Sequence, residues 1–351
     1  DDLLIAAPYP PPDIQLPADI MEEIMRIDGY DTIEIPGSIT VSPSVETNRD
    51  AAARQEKIAS YLTGLGFSEI FTNSITNSAY YSGEELENTV KMINSLSAEL
   101  NIMRPSLLET GLESISWNIN RKNTGLRLFE FGKSYQTRQT GQYTEVNHCC
   151  LYVTGNLQAD SWKGKSAAAD FFYLKGICES ILKLAGVQGT PVFKQHSRLS
   201  GGMEMVQGEY SLLEIGRVNA AVLAKFDIRQ PVYFADLNWD NLILMASKNT
   251  IRFAELPRQI PVNRDLALIV DKSLPFESVE KALHKIRLGK LHQVQLFDIF
   301  ESEKLGKGKK SLAISFTFLD PEKTLTDKEI DGMMSRIMKT AEQELNAEIR
   351  K

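Results

Sequence analysis

The 351-residue chain is 42% hydrophobic and 24% charged, ordinary proportions for a globular protein, and it is roughly two to three times the usual length of one domain. No run of about 18 apolar residues is present, which excludes a helix across a membrane. A net charge of −7 excludes a surface basic all over, yet the charge is unevenly divided: residues 258–351 carry 17 Lys+Arg against 15 Asp+Glu, and the remainder 22 against 31. Any nucleic-acid contact is expected in the C-terminal piece.

The first residues lack the basic start and apolar stretch of a signal peptide, and three cysteines in so long a chain fit a reducing, cytoplasmic setting. Leu3 to Ala7 reads as a strand, and the Pro-rich turn at Pro8–Pro12 follows it. A helix is expected from Ala18 to Ile27, because Ile20, Ile24 and Ile27 share one stripe, Pro17 suits a first turn and Gly29 a stop. Pro36 to Thr47 reads as a linker.

Asn48 to Leu65 has a helical pattern, and Phe67 to Ile75 alternates like a strand. Another helix is expected from Pro105 to about Asn120, then strands at Leu126–Tyr135 and Val146–Thr154 and around Tyr210, Ala220 and Val232. Phe171 to Leu184 reads as a helix among them. Strands gathered around a few helices predict an α+β module with a largely antiparallel sheet. From Arg264 the pattern is regular: strand 266–270, helix 277–286, strands 294–301 and 311–319, helix 327–345, and a last short strand at 347–350. This β-α-β-β-α-β order is the ferredoxin-like topology. Thr326 and Glu329 frame a capping box for the last helix.

Several groups could carry chemistry. Asp13, Asp19, Glu22 and Glu23 form an acidic group, the last three at i, i+3, i+4 on one helical turn. Converging carboxylates suit a hard divalent cation, whereas acids at a helix start also simply complement its dipole. His148-Cys149-Cys150 lacks a second cluster for a tetrahedral zinc site and reads as a strand with packed thiols. Gly201-Gly202 has no phosphate-loop spacing and reads as a turn, and no G-x-S-x-G elbow marks a nucleophilic serine. Lys304, Lys307, Lys309 and Lys310 crowd one short connection, with Arg258 and Arg264 nearby; this is either a phosphate contact or a solvated loop. Phe297 and Phe300 are stacking candidates, although simple alternation puts them on opposite faces.

Three stretches, in order, resemble the β chain of bacterial phenylalanine–tRNA ligase. The first is Pro8-Tyr…Asp13-Ile…Asp19-Ile-Met-Glu22-Glu23-Ile…Arg26-Ile…Gly29-Tyr30. The second comprises Leu65-Gly-Phe67, Asn94-Ser-Leu, Met103-Arg-Pro-Ser-Leu-Leu, Phe129-Glu-Phe-Gly132 and Asp170-Phe-Phe…Leu174-Lys-Gly176. The third comprises Arg264-Asp265-Leu-Ala-Leu, Phe297-Asp298, Lys310-Ser311-Leu and Thr324-Leu-Thr…Glu329-Ile330. The resemblance implies four segments: residues 1–36 as the end of a winged-helix-like domain, 37–47 as a linker, 48–257 as a class II synthetase-like module without an active site, and 258–351 as a ferredoxin-fold anticodon-binding domain. It implies a C-terminal fragment, since the family's β chain begins earlier with tRNA-binding and editing domains.

The resemblance further implies magnesium held by Asp13, Asp19, Glu22 and Glu23 near the α subunit, ATP as a substrate of that subunit, and an α2β2 heterotetramer that binds tRNA(Phe). Arg264, Lys307, Lys309 and Lys310 are the expected RNA contacts, with Arg264 and the lysine turn along one edge of the sheet. The competing reading is a self-sufficient aminoacyl-adenylate-forming enzyme of class II type. Such chemistry needs arginines on the ATP phosphates, one of them in a Gly-rich strand-to-helix motif. Between Val218 and Leu244 the chain offers Arg229 without glycine-rich surroundings. A stand-alone RNA-binding protein fits a net charge of −7 least.

Overall fold

The computed structural model describes residue 14 and residues 16–350, apart from 39, 43–48, 96, 140, 250–252, 254, 287, 303–304, 307 and the side chain of His284. The chain divides into two compact units, Asp1–Thr250 and Ile251–Lys351. The strand expected at Leu3–Ala7 lies outside the described residues.

In the first unit, α1 (Pro17–Asp28) covers the expected helix and buries none of its residues. Helix α2 (Arg49–Gly64) buries Ile58 and Leu62, one turn apart. The strand expected at 67–75 shrinks to β1 (Ser68–Glu69) and β2 (Ile75–Thr76), because Thr72 between them turns inward to the Glu130 carboxylate. After the short α3 (Gly83–Glu87) and β3 (Ile102–Met103), α4 runs Leu108–Ile119. It starts three residues after Pro105, where the Ser106 hydroxyl accepts from the Leu108 N–H.

A long hairpin follows, β4 (Leu126–Gln139) and β5 (Gln142–Thr154), then α5 (Phe171–Ala185). Asp170 caps α5 by accepting from the Tyr173 N–H, and Gly186 ends it in the left-handed conformation. Strands β6 (Thr190–Phe193), β7 (Leu199–Gln207) and β8 (Tyr210–Val218) lead through α6 (Ala220–Ala224) to β9 (Val232–Asn238) and α7 (Trp239–Ser247). Two expectations fail here. The segment at Ala220 is a helical turn, not a strand, since the Val222 N–H closes back on the Asn219 carbonyl. Gly201-Gly202 is not a connecting turn but lies inside β7, where the pairing slips between Ser200 and Met203 and Gly201 takes φ +61°.

The sheet order is β1-β4-β5-β9-β8-β7-β6, parallel only at β1–β4. Both faces are covered. Alternation along β5 sends Cys149, Leu151 and Val153 into a core with α2, α5 and α7, and Cys150 and Tyr152 into a second core with α4. The buried thiols pack as apolar residues in a strand, as the sequence predicts, and burial pushes their pKa values up. The Tyr152 hydroxyl donates to the Leu107 carbonyl at 2.6 Å, and the ring leaves no room for a Cβ at Gly111.

The second unit follows the expected order: β10 (Val262–Asp271), α8 (Phe276–Lys285), β11 (Leu291–Phe300), β12 (Lys309–Phe318), α9 (Asp327–Leu345) and β13 (Glu348–Arg350). The antiparallel sheet runs β11-β12-β10-β13. Leu266, Leu268 and Val270 of β10 and Leu312, Ile314, Phe316 and Phe318 of β12 share one core with residues of both helices. The predicted capping box is present: the Thr326 hydroxyl accepts from the Glu329 N–H while the Glu329 carboxylate accepts from the Thr326 N–H at 3.0 Å.

Candidate functional site

Across the large sheet, on the face that packs α4, the register sets Glu130 opposite Cys150, Cys150 opposite Asp236, Asp236 opposite Glu214, and Glu214 opposite Glu204. A row of four carboxylates on a covered face would be costly unless each met a partner. Each does. Glu130 lies 2.9 Å from Arg104 with both side chains buried, and Thr72 adds a hydroxyl at 2.7 Å. Asp236 lies 2.7 Å from His148 Nδ1. Glu214 lies 3.3 Å from His196, whose hydrogen bond holds its carboxyl below the usual range, and Glu204 lies 3.3 Å from Lys194.

Arg104 is spent on this structure: its Nε donates to the Lys133 carbonyl, its Nη1 to Glu130 and Thr72, and its side chain is 2% exposed. Its Nε and Nη1 are thereby engaged within the fold. Arg229 is exposed in the connection before β9, and α7 follows that strand directly, capped by Asn238. The sequence hides these arrangements, because cross-strand register alone brings the acids into line. A glutamate between two phenylalanines in Phe129-Glu130-Phe131 was the one available sign of a buried ion pair.

His148 Nε2 also lies 2.8 Å from Ser134 Oγ, completing a Ser–His–Asp chain that no sequence motif announced. These distances match a nucleophilic triad, but Ser134 is buried at 4% exposure. A nucleophile must reach its substrate. The chain therefore serves as a clasp joining β4, β5 and β9.

Of the four predicted metal ligands, Asp13 lies outside the described residues. Asp19 accepts from the Leu16 N–H at 2.7 Å, so it caps its own helix. Glu23 pairs with Arg26 at 2.5 Å, and Glu22 is exposed. Among the described residues no group of three His, Cys, Asp or Glu is placed to hold a metal ion.

Among the described residues, the predicted RNA contacts are not brought together. Arg264 stands opposite Phe316, on the helix-covered side, and pairs with Asp327 at the start of α9 at 2.9 Å. Lys310 stands opposite Val270, six residues further along β10, or about 20 Å. The common edge expected for them does not exist. Lys309 pairs with Glu348, while Lys304 and Lys307 lie outside the described residues. The helix-free face is paved along β12 by Ser311, Ala313, Ser315 and Thr317, small side chains that leave it flat. Beside them β11 contains a bulge between Leu296 and Asp298, which resets the alternation. Asp298 and Phe300 stand opposite Ala313 and Ser311 on that face, and Phe297 occupies the bulge. Both phenylalanines are about half exposed, at 55% and 47%. The opposite-face placement drawn from simple alternation fails at this inserted residue.

Comparison with known families supplies the identification. Residues 35–239 match the family described as the phenylalanyl tRNA synthetase beta chain CLM domain, and residues 257–350 match the ferredoxin-fold anticodon binding domain. The chain belongs to the phenylalanine–tRNA ligase β-subunit family. The β subunit of Bacteroides thetaiotaomicron is 37% identical over 100% of this chain and 45% of its own length. That of Porphyromonas gingivalis is 37% identical over 96% and 43%, and that of Listeria innocua 32% over 100% and 44%. The chain thus spans less than half the length of the β subunits it matches. Among solved structures, the pyrrolysyl-tRNA synthetase of Desulfitobacterium hafniense aligns over 66% of this chain and 77% of its own, at 15% identity and a TM-score of 0.46.

Proposed function

We propose that this chain is the C-terminal part of a non-catalytic β subunit of phenylalanine–tRNA ligase, which holds the α subunit and binds tRNA(Phe) while that subunit uses ATP and phenylalanine. The observation that supports the silent role is the burial of Arg104 against Glu130, which ties this arginine into the fold instead of a phosphate contact. Residues 48–257 are read as a class II synthetase-like module and residues 1–36 as the end of a winged-helix-like domain. An α2β2 assembly in the cytoplasm completes the reading.

Magnesium is part of the proposal. Oxygen donors suit a hard cation, and the Glu23–Arg26 pair is solvent-exposed and costs little to break. Asp13, Asp19, Glu22 and Glu23 would hold the ion beside the α subunit, where it would neutralise facing carboxylates. The flat face of the second unit is read as the anticodon-end contact, with Lys309 bordering it, Arg264 and Lys310 as phosphate partners away from the face itself, and Lys307 as a further one.

The test is phenylalanine-dependent ATP–pyrophosphate exchange. The chain alone is expected to show none above a mock preparation, and addition of α subunit with full-length β restores it. Exchange by this chain without an α subunit would establish the self-sufficient enzyme instead.

A further inference from the structure

A cavity of about 630 Å³ opens in the first unit between α3, α4, α6 and the start of β7. Its volume falls within the usual range for small-molecule sites. At its base Arg198 Nη1 lies 2.9 Å from Glu85 and 3.0 Å from Glu109, and Glu109 is buried. This triad fixes the guanidinium in one orientation. Its Nη2 and Nε make no hydrogen bond to a described residue, and the side chain keeps 22% of its surface open. Glu84, also on the lining, is exposed and pairs with no described residue.

One wall is apolar. The rings of Tyr80 and Phe226 lie 4.8 Å apart, and Val222 and Pro105 extend the surface. The Lys225 ammonium donates to the Tyr80 carbonyl at 2.7 Å, and His196 is engaged by Glu214. Three lining carboxylates therefore face two lining cations, and the excess negative charge disfavours phosphates and other polyanions. A ligand with one charge of each sign meets both demands: its carboxylate takes the spare guanidinium donors, its ammonium faces Glu84, and its apolar body lies on the Tyr80–Phe226 wall.

We propose that this cavity binds a free α-amino acid with a large apolar side chain, held between Arg198 and Glu84. The cavity is lined by this chain alone, so its test needs neither tRNA nor the α subunit and does not rest on the functional reading above.

The test is equilibrium binding to the 351-residue chain by calorimetry, at ligand concentrations up to about 10 mM. L-tryptophan, tryptamine and indole-3-acetate share one apolar body and carry both charges, only the amine, or only the acid. L-tryptophan is expected to bind saturably and each analogue about tenfold or more weakly, since each lacks one charged hydrogen bond. Glu84→Gln should weaken L-tryptophan about tenfold and leave indole-3-acetate unchanged. Ala221→Trp, at an exposed lining position, should abolish binding while the thermal unfolding midpoint stays put. Arg198 itself is left intact, because its loss would strand two carboxylates and threaten the fold. Absence of saturable binding by L-tryptophan, equal binding of tryptamine, or wild-type binding by Ala221→Trp would each overturn the assignment.

Discussion

Glu329 shows how one side chain can carry several tasks. It accepts from Lys323 and from the Thr326 N–H and hydroxyl, and these bonds hold its carboxyl down at about 2, the Lys323 contact contributing most. A carboxyl held below its ordinary range stabilises the fold at all pH values above that range. This contribution disappears as pH falls from about 4.5 toward 2. Glu329→Gln should therefore narrow the loss of urea midpoint between pH 7 and pH 3 relative to the parent. An equal loss in both proteins would show that the bonds favour neither protonation state. Gly111 makes a steric demand instead. A Cβ there would meet Tyr152 ring carbons at 2.2 Å. Gly111→Ala should cost about 1–3 kcal/mol by overpacking, and Tyr152→Leu should recover part of that loss in the double variant. Independent, additive losses would mean that the ring moves aside freely.

At the scale of elements, the second unit was readable almost whole, because its strands and helices keep one periodicity each and Thr326–Glu329 mark the start of α9. What was lost was local slippage. The bulge at Phe297 shifts two phenylalanines that alternation had separated, and the slip at Ser200–Met203 turns a glycine pair from a presumed turn into strand. Neither leaves a trace in hydrophobic patterning, since one extra residue changes pairing without changing composition. The candidate site suffered more. Arg264 and Lys310 are close in type and in the resemblance, but Arg264 lies on β10 and Lys310 on β12, opposite Val270 toward the other end of the pair, so their placement required register. The face itself mixes Asp265, Asp271, Asp298 and Glu348 with Lys309 and Arg350, a poor phosphate magnet. For the RNA contact proposed above, base stacking on the exposed phenylalanines suits this face better than phosphate pairing. In the complete two-subunit enzyme, Phe297→Ala with Phe300→Ala should weaken tRNA binding about tenfold or more at an unchanged salt slope. Alanine at Lys307, Lys309 and Lys310 should mainly flatten the slope. A phenylalanine pair without effect would return the weight to the basic residues.

For the whole molecule, the division of charge and the division into two units coincide. The acidic first unit carries the covered sheet, and the near-neutral second unit carries the open face. An open sheet brings its own hazard in a concentrated cell, because β11 is an edge strand whose outward amides could pair with a second copy. The strand defends itself by irregularity: pairing slips at Leu291–Gln293 and again at Leu296–Asp298, so a regular incoming strand finds few rungs in step. Deleting His292 and Phe297 would straighten it. The straightened protein should self-associate with rising concentration, seen as a growing sedimentation coefficient, while the parent stays constant; equal behaviour of the two would assign the protection to something other than the bulges. The same inserted residue that leaves an aromatic ring exposed on the sheet thus also breaks the regular spacing of the edge that a second copy would have to match.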